Sequence, residues 1–454
     1  MSPTGLLQLL LVSIIGIYFL IILIKKWDAF PFLLLPLVWY LPEQTSPGRL
    51  LENYIFVRWF TVIMIPFLMV IAILKRRFFK TIRYISGFYL LIAIFIIISF
   101  ISAFLNNKSL FDVLSYLSIY LRYPIFFLVL TTLDLTENVM RKFLILFSIL
   151  LAIQFPEVFI RYSILGIKGD EVSWSLGSWG TANLGIYMIY GGCLIIAHAL
   201  HKNITLWHIA GILIFFIIAI FGEIKTIMVW FIIVILVTVV FHPFQTKIKK
   251  YIIIFVIIIL IFPFGQTIYQ YWNKVHGIQL ANIFQSIYLT LQGNVGTEDK
   301  YSLYRLGILL RIVEGIRQNT TTFLFGFGPG SSFIGNFSGI PGLIIQYLGS
   351  GKDTPNQYAS ILLDVGLTGL INYFLILVFL IKIWRKSLNV SDDNQNMKLW
   401  AIIRTAFVGM IFYYLIVGPL YYPVWRFDAS SYILYFFAAI LYQRVKNGEK
   451  KSKH

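Results

Sequence analysis

Cysteine is almost missing from this sequence: 454 residues contain one, Cys193. A disulfide framework and a cysteine-based metal site are therefore excluded. Acidic residues are scarce as well, 19 Asp and Glu against 37 Lys and Arg, and charged residues make up only 12% of the chain. Water-soluble domains carry about 25%, so a soluble globular protein is excluded too. The six histidines show no metal-ligand spacing, and neither a Gly-x-Ser-x-Gly elbow nor a Walker A loop is present. Loops on the basic side are too short to house an ATPase, so the chain does not drive chemistry with ATP that it binds itself.

Apolar residues are abundant, at 59%. Many runs reach the ~17–25 residues needed to cross a bilayer. In lipid such runs are helical, because every backbone N–H and C=O must find its partner inside the segment. The expected fold class is an all-α polytopic membrane protein of about 12–13 transmembrane helices, a single integral domain over 1–454. Helices are expected near 5–25, 30–42, 55–75, 84–104, 109–131, 140–163, 184–201, 205–222, 224–242, 250–266, 357–383, 399–418 and 428–446. The segment 30–42 is short and bracketed by Pro31 and Pro42, so it either spans at a tilt or re-enters. The first apolar run has no basic flank and no small-residue cleavage site, and reads as a retained helix. No internal repeat is visible.

The net charge of +18 would suit nucleic acid, but its distribution argues for a membrane. Lys25, Lys26, Lys75, Arg76, Arg77, Arg141, Lys142, Lys247, Lys382, Arg385, Lys386 and the tail from Arg444 all fall on one side of the expected spans. Short loops on the other side hold little beyond Arg49, Lys108, Lys168, Lys225 and Arg426. By the positive-inside rule the carboxyl terminus is cytoplasmic, and the large loop over 267–356, roughly ninety residues, faces outward.

Charge at membrane depth is costly and points to function or to an internal partner. Arg122 lies past the middle of the run 109–131. Arg58 and Arg426 lie near outer helix ends, where they could converge on an anion, while Arg404 is placed to snorkel toward the inner end. Lys225 stands at the tight tip Gly222-Glu-Ile-Lys-Thr226, either as a water-boundary residue or as a cation at the floor of an outward cavity. In the large loop, Arg305, Arg311 and Arg317 recur every six residues, so on one helix they fan out. Guanidinium groups offer paired donors to phosphate and stay charged. The turn Gly326-Phe-Gly-Pro-Gly330, with Gly328 and Gly330, can form a backbone nest for phosphate oxygens. Candidate general bases are Asp353, Asp364, Glu314 and Glu298, and nothing in the sequence chooses among them.

Between about 170 and 430 this layout resembles the bacterial O-antigen ligase and polymerase superfamily, membrane glycosyltransferases that use undecaprenyl-diphosphate-linked sugars. Arg305 matches the arginine that opens the loop helix, and Gly326-Phe-Gly328 matches the following turn. Pro355-Asn356 stands at the family's His-Asn, Asp364 at its acidic position and Gly366-Leu-Thr-Gly369 at the glycines that open a membrane helix. Lys225-Thr226 resembles the basic tip, and Gly177-Ser-Trp-Gly-Thr-Ala-Asn183 an earlier Gly- and Asn-containing loop.

The resemblance implies a bacterial cytoplasmic-membrane enzyme, with catalytic roles for Arg305, Asn356, Asp364 and Asp353. Arg122, Lys225, Arg311, Arg426, Arg58, Gly328 and Gly330 would bind the diphosphate-linked glycan. No metal or other cofactor is expected. The implied partners are a lipid-linked donor and acceptor, the bilayer and a chain-length-regulating co-polymerase; nucleic acid is not among them. Proline at 355 departs from the ligase histidine, which favours a polymerase of repeat units over a lipid A-core ligase. A lipid-linked-oligosaccharide flippase is the alternative from another class.

Overall fold

The computed structural model describes residues 69–70, 73, 85–133, 135–167, 180–202, 204–221, 225–241, 312–313, 315–317, 319–332, 357–390, 398–417 and 428–451. All regular structure among them is helical. In chain order the helices are α1 (Ser86–Leu105), α2 (Leu110–Tyr120), α3 (Arg122–Thr131), α4 (Glu137–Phe159), α5 (Gly180–His201), α6 (Leu206–Phe221), α7 (Lys225–Val240), α8 (Thr320–Phe325), α9 (Gln357–Leu388), α10 (Lys398–Phe412) and α11 (Asp428–Lys451). A π turn extends α4 over Ile160–Ile164, and another extends α10 over Tyr413–Val417.

Five segments are long and apolar enough to cross a membrane: Ser86–Leu105, Glu137–Ile164, Leu184–His201, Gln357–Leu388 and Leu399–Ile416. The pair α2 and α3 makes a sixth if its bend of 53° lies within one span. This is a multi-pass α-helical membrane protein. Its exposed faces agree with that reading: Ile145, Ile149 and Ile153 on α4, and Ile371, Leu375 and Val378 on α9, form apolar stripes at helical spacing. In water such stripes would be an association hazard; against acyl chains they are the surface lipid requires.

The expected helices 5–25, 30–42 and 250–266 lie outside the described residues, as does nearly all of 55–75. Of the loop 267–356, only parts of 312–332 are described. Three expectations change. The run 109–131 is two helices meeting at Leu121, because Pro124 carries no N–H for the Tyr120 carbonyl and its ring crowds that turn. The run 357–383 extends to Leu388 and is broken at Gly366, whose φ of 67° and ψ of −165° are non-helical. The run 428–446 is helical but falls outside the five apolar spans. Every residue from Ser431 to Gln443 in α11 is buried, so this helix is surrounded mainly by protein, and its tyrosines and Gln443 are tolerated for that reason.

The core is built on α5 and α11. Helix α5 packs against α10, α7 and α6, and α11 against α3, α9 and α10. Close approach around α5 depends on its small residues. A Cβ on Gly191 would sit 2.7 Å from a Leu151 methyl of α4 and 2.9 Å from Phe215 of α6. Gln443 of α11 completes the far end of α3, donating to the carbonyls of Leu130 and Leu133 and accepting from the Leu135 N–H at 2.9 Å. These are backbone groups that a helix cannot satisfy for itself.

Candidate functional site

The described part of the large loop is seated on α9 by a small apolar cluster, in which Ile312 and Ile316 meet Ala359, Leu362 and Leu363. Helix α8 begins at Asn319, whose side chain accepts from the Thr321 N–H, and ends at Gly326. From there the chain runs into the break of α9. The Phe327 N–H donates to the Leu363 carbonyl at 2.7 Å, and the Thr368 hydroxyl donates to the Leu324 carbonyl at 2.7 Å. Two helix ends are thus joined through each other's unpaired carbonyls.

Helix α1 supplies the third side. The Ser102 hydroxyl reaches the carbonyls of Phe325 and, at 2.9 Å, of Asp364. The Asn106 amide donates to its own helix at Ser102 and, at 3.1 Å, to the Gly326 carbonyl. Asn107, at φ 52°, then ends α1 in the left-handed conformation that asparagine tolerates. Ser109 and Asp112 start α2 with a reciprocal capping box. The loop lies over this α1–α2 turn: a Cβ on Gly328 would be 2.6 Å from the Lys108 stem, and one on Gly330 would be 3.9 Å from Asp112.

Asp364 sits at the centre and is fully buried. One carboxylate oxygen accepts the Ser332 N–H at 2.8 Å and the other accepts the Ser332 hydroxyl. Both oxygens therefore help to hold the end of the glycine-rich loop. In this arrangement the Asp364 carboxyl group ties the end of the loop to the break in α9.

The expected nest is smaller than its sequence implies. Phe327 and Ser332 commit their N–H groups as above, Ser331 donates to the Gly328 carbonyl, and Pro329 has no N–H. In the turn this leaves the N–H groups of Gly328 and Gly330 without a hydrogen bond among the described residues. Lys108 stands beside them and makes no ion pair among the described residues. Two backbone donors and a neighbouring lysine are what this turn offers an anion.

The structure brings together Gly328, Gly330 and Asp364 from the expected set. Arg122 is elsewhere: α2, 11 residues and roughly 16 Å long, separates the loop's turn from it. Arg122 is 6% exposed, its Nε donates to the Ser118 carbonyl at 3.4 Å, and its guanidinium lies 5.9 Å from the Tyr123 ring centroid. Lys225 is the first residue of α7. Arg305, Arg311, Asn356, Asp353, Arg58 and Arg426 lie outside the described residues, as do Pro355 and Glu314. Arg404, expected to snorkel, is instead 9% exposed and donates to the Ser387 carbonyl at 3.1 Å, near the end of α9. A buried carbonyl within reach is a better partner than distant water.

Sequence reasoning missed Ser102, Asn106 and Ser332 as site builders. Ser102 and Asn106 did leave a signal, since two polar residues four apart at the end of an apolar run share one helix face. Comparison with known proteins adds nothing to this picture: no protein-family model matches the chain, and no curated protein matches it.

Proposed function

We propose that this chain is a membrane glycosyltransferase that joins undecaprenyl-diphosphate-linked oligosaccharide repeats into a surface polysaccharide on the outer face of a bacterial cytoplasmic membrane. The observation that carries the reading is the junction itself. A glycine-rich loop is locked into a broken membrane helix through Asp364 and Gly366, with Lys108 beside its donor-bearing turn. Of the tract that carries the superfamily resemblance, this junction joins the Gly326-Phe-Gly328 turn to Asp364 and Gly366.

In the proposed reaction an acceptor sugar hydroxyl attacks the anomeric carbon of the donor. The bond from that carbon to the diphosphate oxygen breaks, and undecaprenyl diphosphate leaves with the electron pair. The hydroxyl proton departs to water or to Asp353. The leaving group needs charge stabilisation more than protonation, so fixed cations near a water-poor site are the main requirement. Lys108 joins Arg305, Arg311, Lys225, Arg58 and Arg426 as a candidate for that work. Confinement of both lipid-linked substrates to one membrane lowers the entropic cost of their meeting. Asp364 acts at one remove, by fixing the loop.

The flippase alternative draws on one specific observation, the two interrupted helices at Leu121 and Gly366. At Gly366, however, the Phe327 N–H takes up the Leu363 carbonyl and the Ser102 hydroxyl the Asp364 carbonyl, backbone groups that a translocated ligand would need.

Purified protein supplied only with undecaprenyl-diphosphate oligosaccharide should produce a ladder of longer lipid-linked chains without lipid A-core. Transfer that occurs only after lipid A-core is added would identify a ligase, and absence of any new glycosidic bond would leave the flippase. The orientation is tested separately. A reporter fused at Ser350 should read outside and one at Asn389 cytoplasmic, and a cytoplasmic Ser350 would put the loop on the wrong face for this donor.

A further inference from the structure

Where α5 ends and α6 begins, two imidazoles meet. Nδ1 of His198 in α5 lies 2.7 Å from Nε2 of His208 in α6, with the ring centroids 5.0 Å apart. The other nitrogen of His208, Nδ1, accepts the Thr205 N–H at 3.0 Å, and the Thr205 hydroxyl is 2.7 Å from the same atom. Thr205 immediately precedes α6, so His208 is the third residue of the helix and closes its first turn as the carboxylate of a capping box would. His208 is buried, whereas Ile204, Leu206 and Trp207 beside it are exposed. The seating of this turn on α5 therefore rests on the imidazole. One turn further on, a Cβ on Gly211 would lie 2.9 Å from the Ile195 side chain, so α6 runs close against α5 from here.

These contacts fix where the protons are. A backbone N–H has only a hydrogen to offer, so Nδ1 of His208 presents a lone pair. His208 is therefore neutral with its proton on Nε2, and it donates that proton to Nδ1 of His198. His198 accepts there, so it is neutral too and carries its own proton on Nε2. Donation runs one way, from Thr205 through His208 to His198, and it starts from a group that cannot reverse. A further proton finds no lone pair on the two rings that is not already accepting. On Nδ1 of His198 it sets N–H against N–H across 2.7 Å. On Nδ1 of His208 it opposes the Thr205 N–H. Either way one contact breaks.

The described charges around the pair are mostly cations, which oppose the added proton. On α5, Lys202 acts electrostatically on His198, and His201 interacts with both His198 and Arg404 of α10. Helix α4 starts at this face with Glu137, Arg141 and Lys142, and Glu137 is paired with Arg141 at 3.6 Å. The stretch Phe231–Val240 of α7 has no titratable side chain, and α11 adds Arg444. The positive end of the α6 dipole works in the same direction. We infer that Thr205, His208 and His198 form a proton-sensitive latch, which seats the first turn of α6 on α5 while both imidazoles are neutral and releases it when the pair takes up one proton. Imidazole is the side chain that ordinarily changes charge between about pH 5 and 8. The latch is closed at the upper end of that window and opens as the pH falls through it. It stands independently of the proposed glycosyltransferase reaction.

The test is backbone hydrogen exchange on the purified full-length protein in detergent at about pH 8 and about pH 5, with rates corrected for the intrinsic pH dependence of exchange. In the wild type, protection over 205–212 should fall about three- to tenfold at the lower pH, the loss expected of roughly one net hydrogen bond. Protection over 376–383 in α9 should hold. His208→Asn keeps an acceptor for the Thr205 N–H but has nothing to titrate, so its protection over 205–212 should be the same at both pH values. If that variant does not survive purification, His198→Asn replaces it; one of the two proton sites is then gone, and the fall should be clearly smaller than in the wild type. Unchanged protection over 205–212 in the wild type would overturn the proposal. So would a fall in His208→Asn, or in that case in His198→Asn, as large as the wild type's. A matching loss over 376–383 would mean that acid loosens the whole protein, and the latch would fall with it.

Discussion

Gly326 and Gly366 occupy the same backbone conformation and face each other across one contact: φ 73° and ψ −168° at Gly326, φ 67° and ψ −165° at Gly366. A Cβ on Gly326 would lie 2.6 Å from the Leu363 carbonyl oxygen, and one on Gly366 would lie 2.5 Å from the Phe325 nitrogen. Each glycine is the space into which the other's strand of backbone fits.

Either Gly326→Ala or Gly366→Ala should therefore destabilise the junction. The conformation is one that only glycine adopts readily, costing on the order of 1–3 kcal/mol for other residues before any collision is counted. The obstruction is backbone, which cannot rotate away. Gly315→Ala is the control, since its Cβ would meet nothing within 4 Å. Thermal aggregation midpoints in detergent should fall for the first two variants and stay unchanged or rise slightly for the third.

Asp364→Asn and Ser332→Ala probe the loop's anchor. Asp364→Asn replaces one acceptor oxygen with a donor and weakens both bonds from Ser332, each worth about 0.5–1.5 kcal/mol. Ser332→Ala removes the hydroxyl bond and leaves the N–H bond intact. Limited proteolysis between Gly326 and Ser332 should be fast for Asp364→Asn, intermediate for Ser332→Ala and slow for the wild type. Equal rates for all three would show that the carboxylate does not hold the loop.

Leaving-group stabilisation is tested at Lys108 and Arg305. Lys108→Ala should reduce polymer formation at least tenfold with Lys108→Arg restoring much of it, because a point charge beside the turn is what matters. Arg305→Ala should cost about 10²–10³ in rate, and Arg305→Lys should rescue poorly if the contact is a paired fork. Product ladders from membranes normalised for protein content give the comparison. A full ladder from Lys108→Ala would remove that residue from the proposed site.

Asn372, midway along α9, is 2% exposed, and neither its amide nitrogen nor its amide oxygen has a hydrogen-bond partner among the described residues. Leaving such groups unpaired costs roughly 1–3 kcal/mol each, and an apolar group of similar shape removes the penalty. Asn372→Leu should raise the thermal midpoint. A lower midpoint would mean that the amide is satisfied in the membrane.

The described spans were legible because lipid imposes one rule on them: about twenty apolar residues, helical, basic at one end. The breaks were less so. Pro124 near the start of α3 is also an ordinary residue for a first helical turn, so the sequence shows the proline but not the 53° at which the two pieces meet. Gly366 could be read as the opening of a membrane helix, but the reason for the break is Leu324, some forty residues away. Asp364 illustrates the limit for chemistry. It was one of four candidate bases, and its bonds from Ser332, 32 residues earlier, depend on the docking of α8 on α9. Arg404 fails the same way, since the sequence shows its depth but not the Ser387 carbonyl that accepts from it.

Gln443 adds a constraint in time. The Leu135 N–H that it accepts lies 308 residues earlier in the chain. At synthesis rates of about 5–20 residues per second, α3 waits some fifteen to sixty seconds before the side chain that completes it has been made. During that interval the groups around Leu130–Leu135 have only water or transient neighbours. The end of α3 is therefore inserted long before it can be finished, and it closes when α11 arrives.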